Sequence, residues 1–366
     1  MKLKYQKVID HLLLIFTNES YVEGQKLPTE TKLMEDLGVG RNTIRKALFE
    51  MENLGIVKSR QGSGTFYVAH EKHEKVGKKV TGGLIGLANF YGLGYIYPDI
   101  VKGVEDALHD EGYSLVISSS SIGDARDMSS LKLLLDQDIK GLILDLSRSF
   151  PDEVESPVIN LIKTVNIPIV TTHWNGSYKN FPTITLDDVS GGYNATKYLI
   201  DKGHTKIAMI YNSVKSGADR LEGYKKALNE AGIEIDENYI ISYDDRGTPI
   251  HDDFGYKCAE ELFSRKGVNP TAIFCFNDQT AIEAYQALGK RGLRIPEDVS
   301  VLGFDDFKHS QFLNPPLTTF MHPKYDLGHW AARVIIDILH NRNSFYPKSV
   351  LFEPKLVERE SVRVIK

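Results

Sequence analysis

The chain of 366 residues is 42% hydrophobic and 25% charged, a composition that suits two or three folded domains and excludes a disordered chain. Its two cysteines, Cys258 and Cys275, offer neither metal spacing nor a disulfide framework, which points to a reducing, cytoplasmic setting without a metal centre. The net charge of −5 argues against a nucleic-acid binder taken whole, but residues 1–80 hold 14 Lys+Arg against 10 Asp+Glu, so a head of +4 precedes a body of −9.

The N-terminal run MKLKYQKVIDHLLLIF reads as a helix. No small-residue cleavage site follows it, and no stretch reaches membrane-spanning length. Thr29 is placed to cap a helix whose apolar face is Leu33, Met34 and Leu37. Gly38 permits the left-handed turn that stops this helix. A second helix opens at Arg41, with Ile44, Leu48, Met51 and Leu54 facing inward. Arg41, Asn42, Thr43, Arg45 and Lys46 lie outward or at its start, where a recognition helix reaches base edges and phosphates. Two strand-like runs then flank Gln61-Gly62-Ser63-Gly64, a hairpin wing whose glycines let backbone N–H groups approach phosphate. Arg60 and Gln61 would reach the DNA backbone or minor groove. A helical hairpin with a solvated basic face would have to explain cap, turn glycine, cationic helix start and Gly-rich wing in this order. We therefore predict a DNA-binding winged helix-turn-helix over 1–69. The charged stretch HEKHEKVGKKV lacks apolar periodicity and marks a linker over 70–82.

From Gly83 onward, apolar runs alternate with amphipathic segments. Strand candidates are Gly83–Ala88, Tyr113–Ser118, Gly141–Leu146, Ile167–Thr171, Lys206–Tyr211, Ala272–Phe276 and Val299–Phe304. Helical stretches are Ile100–Asp110, Ala125–Gln137, Ser190–Lys202, Asp219–Ala231, Asp253–Phe263 and Gln279–Arg291. This alternation predicts an α/β body of parallel sheets with crossover helices. Ligands of such sheets bind at the carboxyl ends of the strands. Arg220 follows a strand and loop, and its fork can donate to two adjacent hydroxyls. Asn277 follows AIFCF, and Asp305 follows VSVLGF. Asp278 reads as a helix cap. Further candidates are Tyr95 and Tyr97 after the first strand, His173 and Trp174 after IPIVTT, Asp187 after ITL, and His322. Each has a structural alternative: a lone histidine is usually part of the core, and Trp174 can simply cover it. Asp187 and Asp188 read as alternating faces of a strand. The segment GGLIGLANFYGLG lacks GxGxxG spacing, and no Ser/His/Asp or Cys/His order is legible. Neither an enzyme nor a cofactor is expected.

Residues 4–68 resemble the winged helix of the gluconate-repressor (GntR-type) regulators. The likeness rests on LPTE (27–30), LGVGRNTIRKAL (37–48), LGIV (54–57) and RQGSGTF (60–66). It implies DNA contacts from Arg41, Thr43, Arg45 and the Gly62–Gly64 wing, including Ser63. Glu30 would orient an arginine or touch a base, and Lys4 and Tyr5 match the family's backbone-contacting end. Gly40 stands where the family usually has serine, which removes a hydroxyl contact.

Residues 83–366 resemble the core of the lactose-repressor (GalR-type) family, itself similar to periplasmic sugar-binding proteins. TLDDVSGGYNATKYLIDKGHTKIAMI (185–210), DRLEGYKKALNEAGI (219–233), the run 270–307 and PPLTTFMHPKYDLG (315–328) carry the likeness. It implies two Rossmann-like lobes, one of about 83–203 with 320–350 and the other of about 204–318 with 351–366. An effector would sit between them on Arg220, Asn277 and Asp305. The pairing of head and body is similar to that of the arabinose-repressor family of Gram-positive bacteria. The likeness implies a homodimer on double-stranded, pseudo-palindromic operator DNA, with dimer surfaces on segments such as 98–110 and 125–137. A sugar, L-arabinose foremost, would release the operator. A phosphorylated sugar or purine sensor, or a sugar-binding transport protein, stands as the alternative.

Overall fold

The computed structural model describes residues 8–9, 12, 24–53, 56–60, 63–68, 82–89, 92–119, 124–148, 157–174, 181–244, 253–340 and 349–365. Of the expected contact residues, Lys4, Tyr5, Gln61, Gly62 and the side chain of Arg60 lie outside this set, as does Leu54. The chain divides into two units, Met1–Lys79 and Val80–Lys366.

In the first unit, helix α1 (Glu30–Leu37) begins where the Thr29 hydroxyl accepts the Lys32 N–H at 3.3 Å. It ends at Gly38, whose φ of 61° turns its N–H back to the Met34 carbonyl at 3.0 Å. Helix α2 (Arg41–Asn53) buries Ile44, Ala47, Leu48 and Met51 against Leu27, Leu33 and Val57. Buried Val8, Ile9 and Leu12 complete this core. Strands β1 (Val57–Arg60) and β2 (Gly64–Tyr67) pair antiparallel, with Arg60 opposite Gly64. Gly64 has a φ of 110°, and a Cβ there would lie 2.6 Å from Lys26 Cε, so the hairpin closes on glycine. Truncating a fully buried member such as Leu33 or Ile44 to alanine costs about 2–5 kcal/mol, a large fraction of what so small a core supplies.

The second unit alternates strand and helix. It runs β3 (Gly83–Asn89), α3 (Tyr97–Asp110), β4 (Tyr113–Ser119), α4 (Asp124–Leu135), β5 (Ile139–Asp145), α5 (Pro157–Ile162), β6 (Ile169–Thr172), β7 (Thr183–Leu186) and α6 (Asp188–Asp201). There follow β8 (Ile207–Asn212), α7 (Lys215–Glu230), β9 (Ile240–Tyr243), α8 (Phe254–Ser264), β10 (Ala272–Cys275), α9 (Asp278–Lys290) and β11 (Ser300–Leu302). The chain closes with β12 (Thr319–Met321), α10 (Lys324–Leu339), β13 (Ser349–Phe352) and β14 (Lys355–Val357).

Two parallel sheets result. The first has the order β13-β7-β6-β5-β3-β4, and the second β11-β10-β8-β9. Strands β12 and β14 form a separate antiparallel pair. The chain leaves the first sheet for the second after α6, returns to the first through β12 and α10, and leaves it again after β13 for the β12–β14 pair.

Helices α6 and α7 fix the two sheets against each other. A Cβ on Gly192 would lie 2.0 Å from the Arg220 carbonyl, and one on Gly223 would lie 2.1 Å from the Val189 carbonyl. Only glycine allows this backbone approach, and it sets the start of α6 beside Arg220 on α7. Among the described residues no helix is long and apolar enough to cross a membrane.

Candidate functional site

In the head, the exposed face of α2 carries Arg41, Asn42, Arg45 and Lys46, with Thr43 half-buried. Glu30, in the first turn of α1, accepts from Arg45 Nε at 3.1 Å on both carboxylate oxygens and lies 3.9 Å from Arg41 Nε. The two arginines stay exposed, at 63% and 58% of their side chains. Glu30 therefore holds Arg45 by Nε and leaves its terminal nitrogens free to meet the two acceptors of a guanine edge. Ser63 and Gly64 are exposed on the wing.

In the second unit one cavity of about 60 Å³ opens between elements of the two sheets. Because a single water occupies about 10–15 Å³ of such space, the cavity has room for only a few waters, hence for a small ligand. It brings together Tyr95, Tyr97, His173, Arg220, Asn277, Asp305 and His322 from the sequence candidates.

Arg220 is the centre. It is 5% exposed. Its Nε donates to Asp188 Oδ1 at 2.9 Å and its Nη1 to the Phe276 carbonyl at 2.5 Å. Its Nη2 stands 3.9 Å from Asp305 Oδ1, beyond hydrogen-bond distance. The guanidinium lies over Phe304, 3.7 Å from the ring centroid, and 4.8 Å from that of Phe276. The fork expected to face two ligand hydroxyls is thus largely committed to the protein, and Nη2 is the atom left to the cavity. Burial raises the Asp188 carboxyl above its ordinary range, against the pull of Arg220.

Asp305 reaches the cavity through a constrained turn. Asp305 and Asp306 have φ of 102° and 51°, which costs side-chain-bearing residues of order 1–3 kcal/mol each. Lys324 Nζ donates to both of their carbonyls, at 2.6 and 3.0 Å, and Arg359 Nη2 donates to Asp306 Oδ1 at 2.6 Å. The Tyr95 hydroxyl donates to Asp305 Oδ2 at 2.7 Å and accepts the Asp278 N–H at 3.2 Å. Tyr95 and His173 also have positive φ, 55° and 56°, so backbone strain gathers around this cavity.

Two sequence candidates fall elsewhere. Asp187 is the N-cap of α6, accepting the Ser190 N–H at 2.9 Å and hydroxyl at 2.7 Å, and the cavity residue is its neighbour Asp188. The helix starts one residue after Asp187, so the two acids do not alternate on a strand as expected. Trp174 packs in a core with Leu131, Leu142 and Ile159. Asp278 is not the cap of α9; Asn277 is, accepting the Thr280 N–H at 2.9 Å, which leaves its amide nitrogen uncommitted to the cap. Asp278 instead accepts from Phe307 N–H, the Ser310 hydroxyl and the Thr319 hydroxyl at 2.6–2.7 Å. Its burial pushes the carboxyl up to about 7. Sequence reasoning also missed Ser147, Ser216 and Phe276, which line the cavity. Phe276 ends the apolar run AIFCF, directly before Asn277, so its position was legible.

Two family descriptions match the chain: bacterial regulatory proteins of the gntR family over residues 4–66, and the periplasmic binding protein-like domain over 196–362. The arabinose metabolism transcriptional repressor of Geobacillus stearothermophilus is 30% identical over 99% of this chain and 98% of its own length. That of Halalkalibacterium halodurans is 34% identical over 92% of this chain and 90% of its own. In fold, the chain is similar to the transcriptional regulator CelR in its cellobiose complex, with a TM-score of 0.68, 24% identity, and coverage of 92% of this chain and 100% of that one. The chain, in which a gntR-type head precedes a periplasmic-binding-protein-like body, belongs to the family of these arabinose metabolism transcriptional repressors.

Proposed function

We propose that this protein is a cytoplasmic homodimer that represses sugar-utilisation genes and leaves its pseudo-palindromic operator when a neutral aldopentose, L-arabinose foremost, fills the cavity. The observation that carries this reading is the charge balance at Arg220. Its positive charge is met by Asp188 at 2.9 Å and faced by Asp305 at 3.9 Å, both buried. A phosphate would need unpaired cations there, whereas a polyol needs mixed donors and acceptors beside apolar ring surface. Arg220 Nη2, the Asn277 amide, Ser147 and the Asp188 and Asp305 carboxylates supply the first. Phe276, Tyr95 and Tyr97 supply the second.

A ligand bound here touches residues preceding α3 and following β6 on one side, and α7, the residues just before α9 and Asp305 on the other. It therefore favours whichever arrangement of the two sheets brings these groups together. Release follows only if that arrangement holds DNA less well, a coupling typically of about 1–3 kcal/mol. On the DNA side, Arg45, held by Glu30, reads a base, while Arg41, Lys46 and the wing neutralise phosphate.

The reading is tested by a thermal-shift screen. L-Arabinose should raise the melting temperature, because ligand that binds only the native state stabilises it. Stabilisation by arabinose 5-phosphate or by a purine base, with none by the free pentose, would replace the proposed effector.

A further inference from the structure

Behind the cavity stands a carboxylate that does not line it. Asp145 Oδ2, at the end of β5, lies 2.6 Å from His173 Nδ1, and His173 Nε2 lies 2.8 Å from His322 Nε2. Thr172 and Ser147 donate to the same carboxylate, the former at 2.9 Å, so its position is set from several sides. Both histidines line the cavity. His322 is 3% exposed, and among the described residues its Nδ1 meets no hydrogen-bond partner. A buried polar atom left unmet is costly, and the cavity is where a partner can enter.

The chain of contacts dictates where the protons sit. A carboxylate only accepts, so His173 carries its hydrogen on Nδ1. One hydrogen lies between the two Nε2 atoms. If His173 is neutral, its Nε2 accepts, His322 Nε2 donates, and His322 Nδ1 is left a bare acceptor. If His173 is charged, both of its nitrogens donate, His322 Nε2 accepts, and the remaining hydrogen of His322 sits on Nδ1. We propose that Asp145 and His173 are positioning residues that make His322 Nδ1 a hydrogen-bond donor to a ligand oxygen. This rests on the cavity being the effector site.

The surroundings favour the charged His173. Burial opposes that charge, but Asp145 on β5, Asp188 on α6 and Asp305 after β11 all support it and together hold its pKa above the ordinary value. His322 is pushed the other way, by burial first and then by His173, Lys324 on α10 and Arg220 on α7. The proton thus rests on the histidine next to the carboxylate. A donor at His322 Nδ1 calls for an oxygen that can only accept, such as the sugar's ring oxygen. It also ties affinity to pH: sugar binding weakens as pH rises through the His173 pKa, where Nδ1 turns from donor to acceptor.

The test uses the full chain and L-arabinose. By titration calorimetry, wild-type affinity should fall about tenfold as pH rises through the His173 transition. In Asp145→Asn that fall should move to lower pH, because the group that raises His173 is gone. A loss of affinity by one constant factor at every pH would mean a merely structural Asp145 and overturn the proposal. Should Asp145→Asn not fold, ¹⁵N NMR of histidine-labelled wild-type protein decides. The proposal expects a protonated Nδ1 on His322 and an imidazolium at His173. A bare Nδ1 on His322 with neutral His173, at every pH where sugar binds, would overturn it. If the wild type binds no L-arabinose while the NMR shows the protonated Nδ1, the effector reading fails and the proton order stands.

Discussion

The head and the cavity solve recognition in opposite ways. In the head, the side chains proposed to meet DNA are exposed, close in sequence, and carried on one helix and one hairpin. Arg41 and Arg45 are more than half exposed, and one carboxylate, Glu30, orients them. In the cavity, the side chains proposed to hold the ligand are buried or half-buried and come from segments up to about two hundred residues apart, as with Tyr95 and Asp305. An exposed contact can be deleted without cost to the fold. A buried one cannot, because its partners are left without water to replace it.

That contrast sets the order of effects. The largest is expected for Arg220→Ala. It strips Asp188 of its partner inside the protein, and breaking a buried pair costs about 3–5 kcal/mol. The variant should melt earlier and lose its L-arabinose-induced stabilisation, both read in one thermal-shift series. A retained sugar response would remove Arg220 from the cavity's function.

Next comes Arg45→Ala, expected to weaken operator binding by about 1–3 kcal/mol with melting temperature and sugar affinity unchanged. Fluorescence anisotropy with operator DNA reads it, and equal affinity would break the head's side of the comparison. Asp187→Ala sharpens the correction at the start of α6. Losing a helix cap should cost about 1 kcal/mol of stability and leave sugar affinity intact, whereas Asp188→Asn should act on sugar affinity.

A separate effect is a slope with pH. Asp278 titrates near 7 in the fold against an ordinary value of 3.8, because burial disfavours its charge. A carboxyl raised in this way contributes stability below its unfolded pKa. That contribution is lost as pH rises from about 4 through about 7. Asp278→Asn should flatten the melting-temperature profile over that window. An unaltered slope would assign it to another group.

Legibility in the sequence follows the same division. The head could be read nearly residue by residue because a contiguous motif carries cap, stop, recognition face and wing. In the body, the strands and helices with clear periodicity were readable, among them β3, β4, β8 and β10. Others were not: β9 is only four residues, and α10 carries AARVIIDIL, too evenly apolar for a helical stripe to stand out. Arg220, Asn277 and Asp305, which line the cavity, were singled out by their places after strands and by the resemblance to the lactose-repressor family. Asp188 was missed by one residue, since a helix start and a strand end look alike in TLDD. Asp145 was invisible, because its importance lies in a neighbour, His173, that β6 brings beside it.

The central claim is that sugar in the body controls DNA held by the head, and operator release measures it most directly. A labelled DNA fragment carrying the operator is titrated with the protein by anisotropy, with and without saturating L-arabinose. The account predicts at least a fivefold weaker affinity with the sugar, the lower end of ordinary allosteric coupling of about 1 kcal/mol. Equal or tighter binding in the presence of a sugar that demonstrably stabilises the protein would contradict it.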